Sequence, residues 1–307
     1  MIIGMVYLMA QSSRKSPLGS GVLSEIEPLE QLARFSWSWA PLLCDPKHGC
    51  CDYHRCWSLI RLFQKGGALP AGEEFFRQEL TSLVAMDRKR VLISGAADTG
   101  LMALVCTIFK ALNVMPEIVL IDRCCTTVTQ NRVMTSYLGL EADIRQADVR
   151  TMDCDPVDAV ISHSFLGFFP EPDRQQVVDA WGRVLKPGGK VLMSTMLAQN
   201  GNLSYPAKDE AGIDASKPKL VESAMKAGMS KAEAQQLGEI AVAMFQKRLS
   251  HDPLLTRDSL ALSFSKAGIE LTEVTLKEKE RLGPLAGFRA QSDLFQRGEV
   301  VGMRKSG

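Results

Sequence analysis

Residues 90–122 constrain this chain most: RVLIS, then GAADTG, then LMALVCTIFKALNV, then EIVLID. Val91, Leu92 and Ile93 form the short apolar run that a parallel strand buried on both faces requires, and small residues interrupt it where a helix must begin. Such a turn offers free backbone N–H groups to whatever binds above it. The second run ends in Asp122, and a carboxylate at the carboxyl end of a second parallel strand can accept hydrogen bonds from a ribose diol. The stretch reads as a βαβ unit suited to a nucleoside.

The alternation continues downstream. TTVTQNRVMTSYLG reads as a helix stopped at Gly139, EADIRQADV as a third strand ending near Asp148, and DAVISHS as a fourth. PDRQQVVDAWGRVL is the next helix, KPGG a turn, and KVLMSTML a fifth strand. After Met196 the rhythm breaks: residues 200–219 are polar and rich in turn formers, and residues 220–249 predict one or two amphipathic helices broken near Gly228. A further helix runs to Gly268, and IELTEVTLKE and GEVVGMRK should pair antiparallel. Upstream, residues 26–43, 53–63 and 73–86 carry helical periodicity, with GGALPAG as a linker. The expected fold is α/β: a Rossmann-like, doubly wound, seven-stranded sheet with an antiparallel last strand. Residues 1–85 form a helical cap or lid, residues 86–307 the nucleoside-binding domain, and residues 201–255 a helical insertion within it.

Bulk properties narrow the partners. Lys and Arg number 36 against 35 acidic residues, and no long basic block stands out, so nucleic acid is not expected. The apolar start MIIGMVYLMA has no basic leader and is too short to span a bilayer, so a cytoplasmic protein without a membrane partner is expected. Nothing fixes the oligomeric state, and a homodimer is open to it. Of the eight cysteines, four lie in CDPKHGCCDYHRC with His48 and His54. The cluster has no C-x-x-C, and no second paired half follows at zinc-finger spacing, so a loop and helix start is expected and no metal.

In this order, the motifs resemble the class I S-adenosylmethionine-dependent methyltransferases, over roughly residues 90–197 and the two final strands. The matching pieces are VLISGAADTG, LID with Asp122, ADV with Asp148, DAVISHS and LKPGGKVLMST. The family usually carries an acid two places before the first glycine, where this chain has Ile93, and Ala97 replaces the middle glycine. Asp98, in the same turn, can supply the charge. A carboxylate there also argues against a dinucleotide, whose pyrophosphate it would repel. S-adenosylmethionine carries no phosphate and presents a sulfonium and an ammonium.

The resemblance implies S-adenosylmethionine as cofactor, held by Gly95, Ala96, Ala97, Asp98, Gly100, Asp122, Arg123, Asp148, Val149 and Ser162. His163, at the carboxyl end of the fourth strand, is a candidate base if the acceptor must lose a proton, with Tyr53 and His54 as further catalytic candidates from the lid. Trp57, Phe165 and Tyr205 are candidate acceptor contacts, since aromatic faces attract a cationic centre. A lid on both sides and the lack of basic surface point to methyl transfer onto a small molecule in an enclosed pocket. Two alternatives stay open at this stage: an enzyme of the same fold that transfers or cyclises the aminocarboxypropyl group and releases methylthioadenosine, and a non-catalytic cofactor-binding protein.

Overall fold

A computed structural model of the chain describes residues 26–63, 72–199, 210–246, 254–277 and 295–306. Three helices come first: α1 (Leu29–Leu43), α2 (Cys51–Phe63) and α3 (Glu73–Val84). The alternating core follows as β1 (Arg90–Ser94), α4 (Gly100–Ala111), β2 (Glu117–Asp122), α5 (Cys125–Leu138), β3 (Ala142–Gln146), β4 (Val157–His163), α6 (Glu171–Val184) and β5 (Leu185–Ala198). Two helices, α7 (Glu210–Lys226) and α8 (Lys231–Gln246), precede α9 (Arg257–Lys266), β6 (Ile269–Lys277) and β7 (Phe295–Arg304).

The strands form one sheet in the order β3-β2-β1-β4-β5-β7-β6. The first five strands pair in parallel, while β7 runs antiparallel to both β5 and β6. The expected seven-stranded sheet with its reversed strand is therefore present. Alternation along each strand builds a core on both faces. Val91, Ile93, Ile118, Leu120, Ala159 and Ile161 pack towards α3, α4 and α5. Leu92, Val119, Ile121 and Val160 pack towards Trp181 of α6 and Phe264 of α9. The strand order reverses between β1 and β4, and in open α/β sheets that crevice takes the ligand.

Several boundaries move. Helix α7 begins at Glu210, where turn-rich sequence predicts a loop, and carries Pro218 inside it. Its apolar residues Leu220 and Ala224 gain what the turn formers cost by packing against Leu59, Ile60 and Trp37. Strand β5 begins at Leu185, so KPGG lies within it; Gly188 takes φ +68° and its carbonyl accepts from Arg88 at 2.6 Å. The strand pairing absorbs the extra residues by a register shift between Val157 and Ala159. Trp39, expected on the packed side of α1, is 37% exposed and stacks on Phe35.

Helices α1 and α2 do not stand alone. Ala33, Trp37, Cys56, Leu59 and Ile60 share one apolar cluster with Leu220, Ala224, Leu237, Ala241 and Met244, so the early helices and the insertion form a single layer. Among the described residues no helix is long and apolar enough to cross a membrane.

Candidate functional site

The turn after β1 is shaped by glycine. Gly95 has φ +70°, a conformation that costs an L side chain, and its N–H donates to the Ile121 carbonyl at 3.0 Å. A Cβ there would lie 2.3 Å from the Phe165 ring. The small residue thus admits Phe165, whose ring meets Phe169 edge-on at 5.0 Å.

Asp122 closes β2 and is buried. Its Oδ2 accepts from the Ala96 N–H at 2.9 Å and its Oδ1 from the Cys124 N–H at 2.7 Å. Each carboxylate oxygen has two lone pairs, so each keeps acceptor capacity for a hydroxyl. Burial pushes the Asp122 carboxyl up from its ordinary range, against the pull of His54 and the two backbone donors. That residual cost is what further hydrogen bonds to the charged form would relieve.

Asp98 is not a bare charge in the turn. Arg61 of α2 donates from Nε to Asp98 Oδ2 at 2.6 Å and from both terminal nitrogens to Glu27, with its first terminal nitrogen 2.8 Å from Glu27 Oε2. Asp98 Oδ1 accepts from the Gly100 N–H at 2.9 Å, and Thr99 Oγ1 donates to Glu27. All three charged residues are at most 5% exposed. Burial works to lower the Arg61 pKa, but Asp98 and Glu27 outweigh it and raise it. A Cβ on Gly100 would come 3.1 Å from Arg61 Cζ, so Gly100 is the opening through which the guanidinium reaches the turn. Sequence reasoning missed Arg61 and Glu27.

On the far side of β1, Ser162 is fully buried and its Oγ has no hydrogen-bond partner among the described residues. His163 is half-buried, with Nε2 accepting from Arg297 at 3.3 Å. The same Arg297 nitrogen lies 3.3 Å from Ser164 Oγ and 3.2 Å from Ser194 Oγ. Ser164 adopts φ +50°, a strained geometry for a non-glycine residue of the kind that gathers at functional sites. Arg297 is a third residue the sequence alone did not single out.

The lid residues divide. Tyr53 stacks on Trp57 at 5.3 Å and meets Phe168 edge-on at 5.8 Å, and burial followed by the Asp98 and Asp122 charges raises its pKa. His54 turns away. Its Nδ1 lies 3.0 Å from Cys124 Sγ and its Nε2 lies 3.3 Å from Thr127 Oγ1, in a pocket with Cys44 and Cys50. Burial alone would lower the His54 pKa, but hydrogen bonding to Cys124 and Cys50 raises it to about 10, while the neighbouring thiols and His54 lower that of Cys124. The ring therefore sits among the cysteines and Thr127. Asp148 caps a short 3-10 turn and pairs with Arg150 at 2.6 Å; with His48, Arg123, Gln146 and Ala147 these residues line an open depression of about 310 Å³. The Val149 side chain packs into the core. Tyr205 lies outside the described residues.

Residues 104–189 match the model of a methyltransferase domain. The chain carries a methyltransferase domain. Its fold is similar to that of a protein described as a sarcosine dimethylglycine methyltransferase from Galdieria sulphuraria, at 12% identity and a TM-score of 0.50, over 76% of this chain and 85% of that one. Also similar are a magnesium protoporphyrin IX methyltransferase from Synechocystis PCC 6803 (11% identity, TM-score 0.46, 76% and 84% covered) and an S-adenosylmethionine-dependent methyltransferase from Clostridium acetobutylicum (8% identity, TM-score 0.47, 76% and 92% covered). No curated protein matches the chain by sequence. The cofactor of the methyltransferase domain is S-adenosylmethionine.

Proposed function

We propose that the protein transfers the methyl group of S-adenosylmethionine to a small-molecule acceptor held beneath α2 and the loop after β4. The observation that carries the reading is Asp122, buried at the end of β2, anchored by two backbone donors and with lone pairs left for a ribose diol. The unpartnered Ser162 Oγ supports a ligand in the same crevice.

The Arg61 cluster fits the other end of the cofactor. Asp98 and Glu27 against Arg61 leave one net negative charge, and the sulfonium, ammonium and carboxylate of S-adenosylmethionine sum to one net positive charge. In this reading the turn residues 95–98 and Gly100 follow the methionine moiety, while Arg123, Asp148 and the Val149 backbone border the adenine. Tyr53, Trp57 and Phe165 form the aromatic wall of the acceptor chamber. Methyl transfer from a sulfonium is an in-line displacement, and much of its acceleration comes from holding the acceptor at near-attack distance with water removed. A wall of aromatic rings serves that purpose.

His163 works with Arg297. Because the guanidinium only donates, Nε2 holds the lone pair and Nδ1 the proton, so His163 donates through Nδ1 and takes a proton only at Nε2, when the acceptor displaces Arg297 from it. The pair as arranged offers N–H donors to an oxygen-bearing acceptor, and a base once Nε2 is released.

Calorimetry with S-adenosylmethionine and S-adenosylhomocysteine tests the reading, with Asp122→Ala expected to weaken binding by about 1.5–3 kcal/mol for each charge-assisted hydrogen bond lost. An unchanged dissociation constant would remove Asp122 from the site. Accumulation of methylthioadenosine in place of S-adenosylhomocysteine would replace methyl transfer with aminocarboxypropyl chemistry.

A further inference from the structure

Four residues that the methyl-transfer reading does not use converge on one point. Cys44 follows the last turn of α1, Cys50 and His54 sit four residues apart at the start of α2, and Cys124 lies between β2 and α5. Their donor atoms all lie within 4.8 Å of one another. Cys44 Sγ is 3.6 Å from both Cys124 Sγ and His54 Nδ1, Cys50 Sγ is 3.9 Å from Cys124 Sγ, and His54 Nδ1 is 3.0 Å from Cys124 Sγ. All the described cysteines are free.

We propose that Cys44, Cys50, His54 and Cys124 form a tetrahedral zinc site that clamps the helical cap to the ribose end of the sheet. Zinc bonds of about 2.3 Å to sulfur and about 2.0 Å to nitrogen, opened to the tetrahedral angle, set ligand atoms about 3.5–3.8 Å apart. The separations here bracket that edge length. A disulfide needs sulfurs about 2.05 Å apart, so none of these contacts is one. Three sulfurs and one imidazole nitrogen form a soft donor set that suits zinc over oxygen-seeking cations such as magnesium or calcium.

The surroundings are those of a built site. Thr127 Oγ1 meets the second ring nitrogen of His54 at 3.3 Å, which fixes the tautomer that leaves Nδ1 to bind metal. Thr126 Oγ1 lies 3.1 Å from Cys44 Sγ, where its hydroxyl can donate to a thiolate. Both threonines are fully buried. Between Cys44 and Cys50 the chain turns tightly, with Asp45 accepting from the Lys47 N–H at 2.9 Å and Gly49 at φ +60°. Cys50 remains half-exposed and gives the ion an entry path.

The site reports on the cofactor pocket through two residues of backbone. The Cys124 N–H donates to Asp122 Oδ1, so fixing the Cys124 sulfur also fixes the ribose carboxylate. This coupling rests on the assignment of Asp122, whereas the metal assignment does not, and metal content is read without cofactor.

The full-length chain, purified under reducing conditions without added metal, should contain about one zinc per chain by elemental analysis. Replacing the zinc with cobalt(II) should give the visible absorption and the thiolate-to-cobalt charge-transfer band of a tetrahedral, sulfur-rich site. Cys44→Ser and Cys124→Ser should lose the metal, while Cys106→Ser, buried elsewhere, keeps it. Thr127→Val should weaken metal binding by about 10–100-fold. A metal-free chain that takes up no cobalt, a cobalt spectrum of the octahedral oxygen type, zinc retained by Cys124→Ser, or two of these sulfurs recovered as a disulfide would each overturn the proposal. Should Cys124→Ser fail to fold, the cobalt spectrum of the unaltered chain decides.

Discussion

Arg61→Met removes the cation that two buried carboxylates share. The side chain is close to isosteric along its stem, so the chief loss is electrostatic. Among the described residues, Glu27 and Asp98, 5% and 3% exposed, would keep only the Thr99 hydroxyl and the Gly100 N–H as partners of their side chains. Breaking a buried pair by deleting one member costs about 3–5 kcal/mol, a large share of the roughly 5–15 kcal/mol that holds an ordinary domain folded. Urea unfolding at neutral pH reads this directly. Adding Glu27→Gln and Asp98→Asn to the same chain should recover most of the loss, because the penalty lies in the orphaned charges. A loss under about 0.5 kcal/mol, or one that the added substitutions deepen, would refute the argument.

Gly95→Ala combines a left-handed backbone with a Cβ 2.3 Å from Phe165 and should cost about 2–4 kcal/mol, of which Phe165→Ala in the same chain relieves only the steric part. Trp181→Phe loses the 2.8 Å hydrogen bond from Nε1 to Ser94 Oγ in a fully buried setting, and a double-mutant cycle with Ser94→Ala should give a coupling near 1 kcal/mol. Hydrogen bonding from Arg150 holds the Asp148 carboxyl below its usual value of about 3.9, so its contribution is present above that pH and lost as pH falls through the lowered value. In Arg150→Gln, the Asp148 resonance in an NMR titration should move back up towards that usual value.

The sheet was legible because its strands are buried on both faces: VLI, IVLI and AVI are unbroken apolar runs, and Gly95 and Gly139 punctuate them where the chain turns. The insertion was harder to read. Residues 210–219 carry turn formers, and helix α7 forms there because Leu220 and Ala224 find α2 to pack against, which no local window contains. The site failed for a related reason. Arg61 sits on an amphipathic helix where an arginine ordinarily faces water, and its partners lie 34 and 37 residues away. The cysteine cluster lacked a paired half in sequence because Cys124 comes from the far side of β1 and β2, 74 residues after Cys50.

The shared layer of α1, α2, α7 and α8 also sets an order of events during synthesis. Leu59 and Ile60 leave the ribosome long before Leu220 and Leu237 exist to cover them. With Glu210 following Phe63 by 147 positions, and translation at about 5–20 residues per second, that apolar face waits roughly 7–30 s for its cover. In the interval the nascent cap is a natural client for holding chaperones, and the chain completes its first helices nearly last.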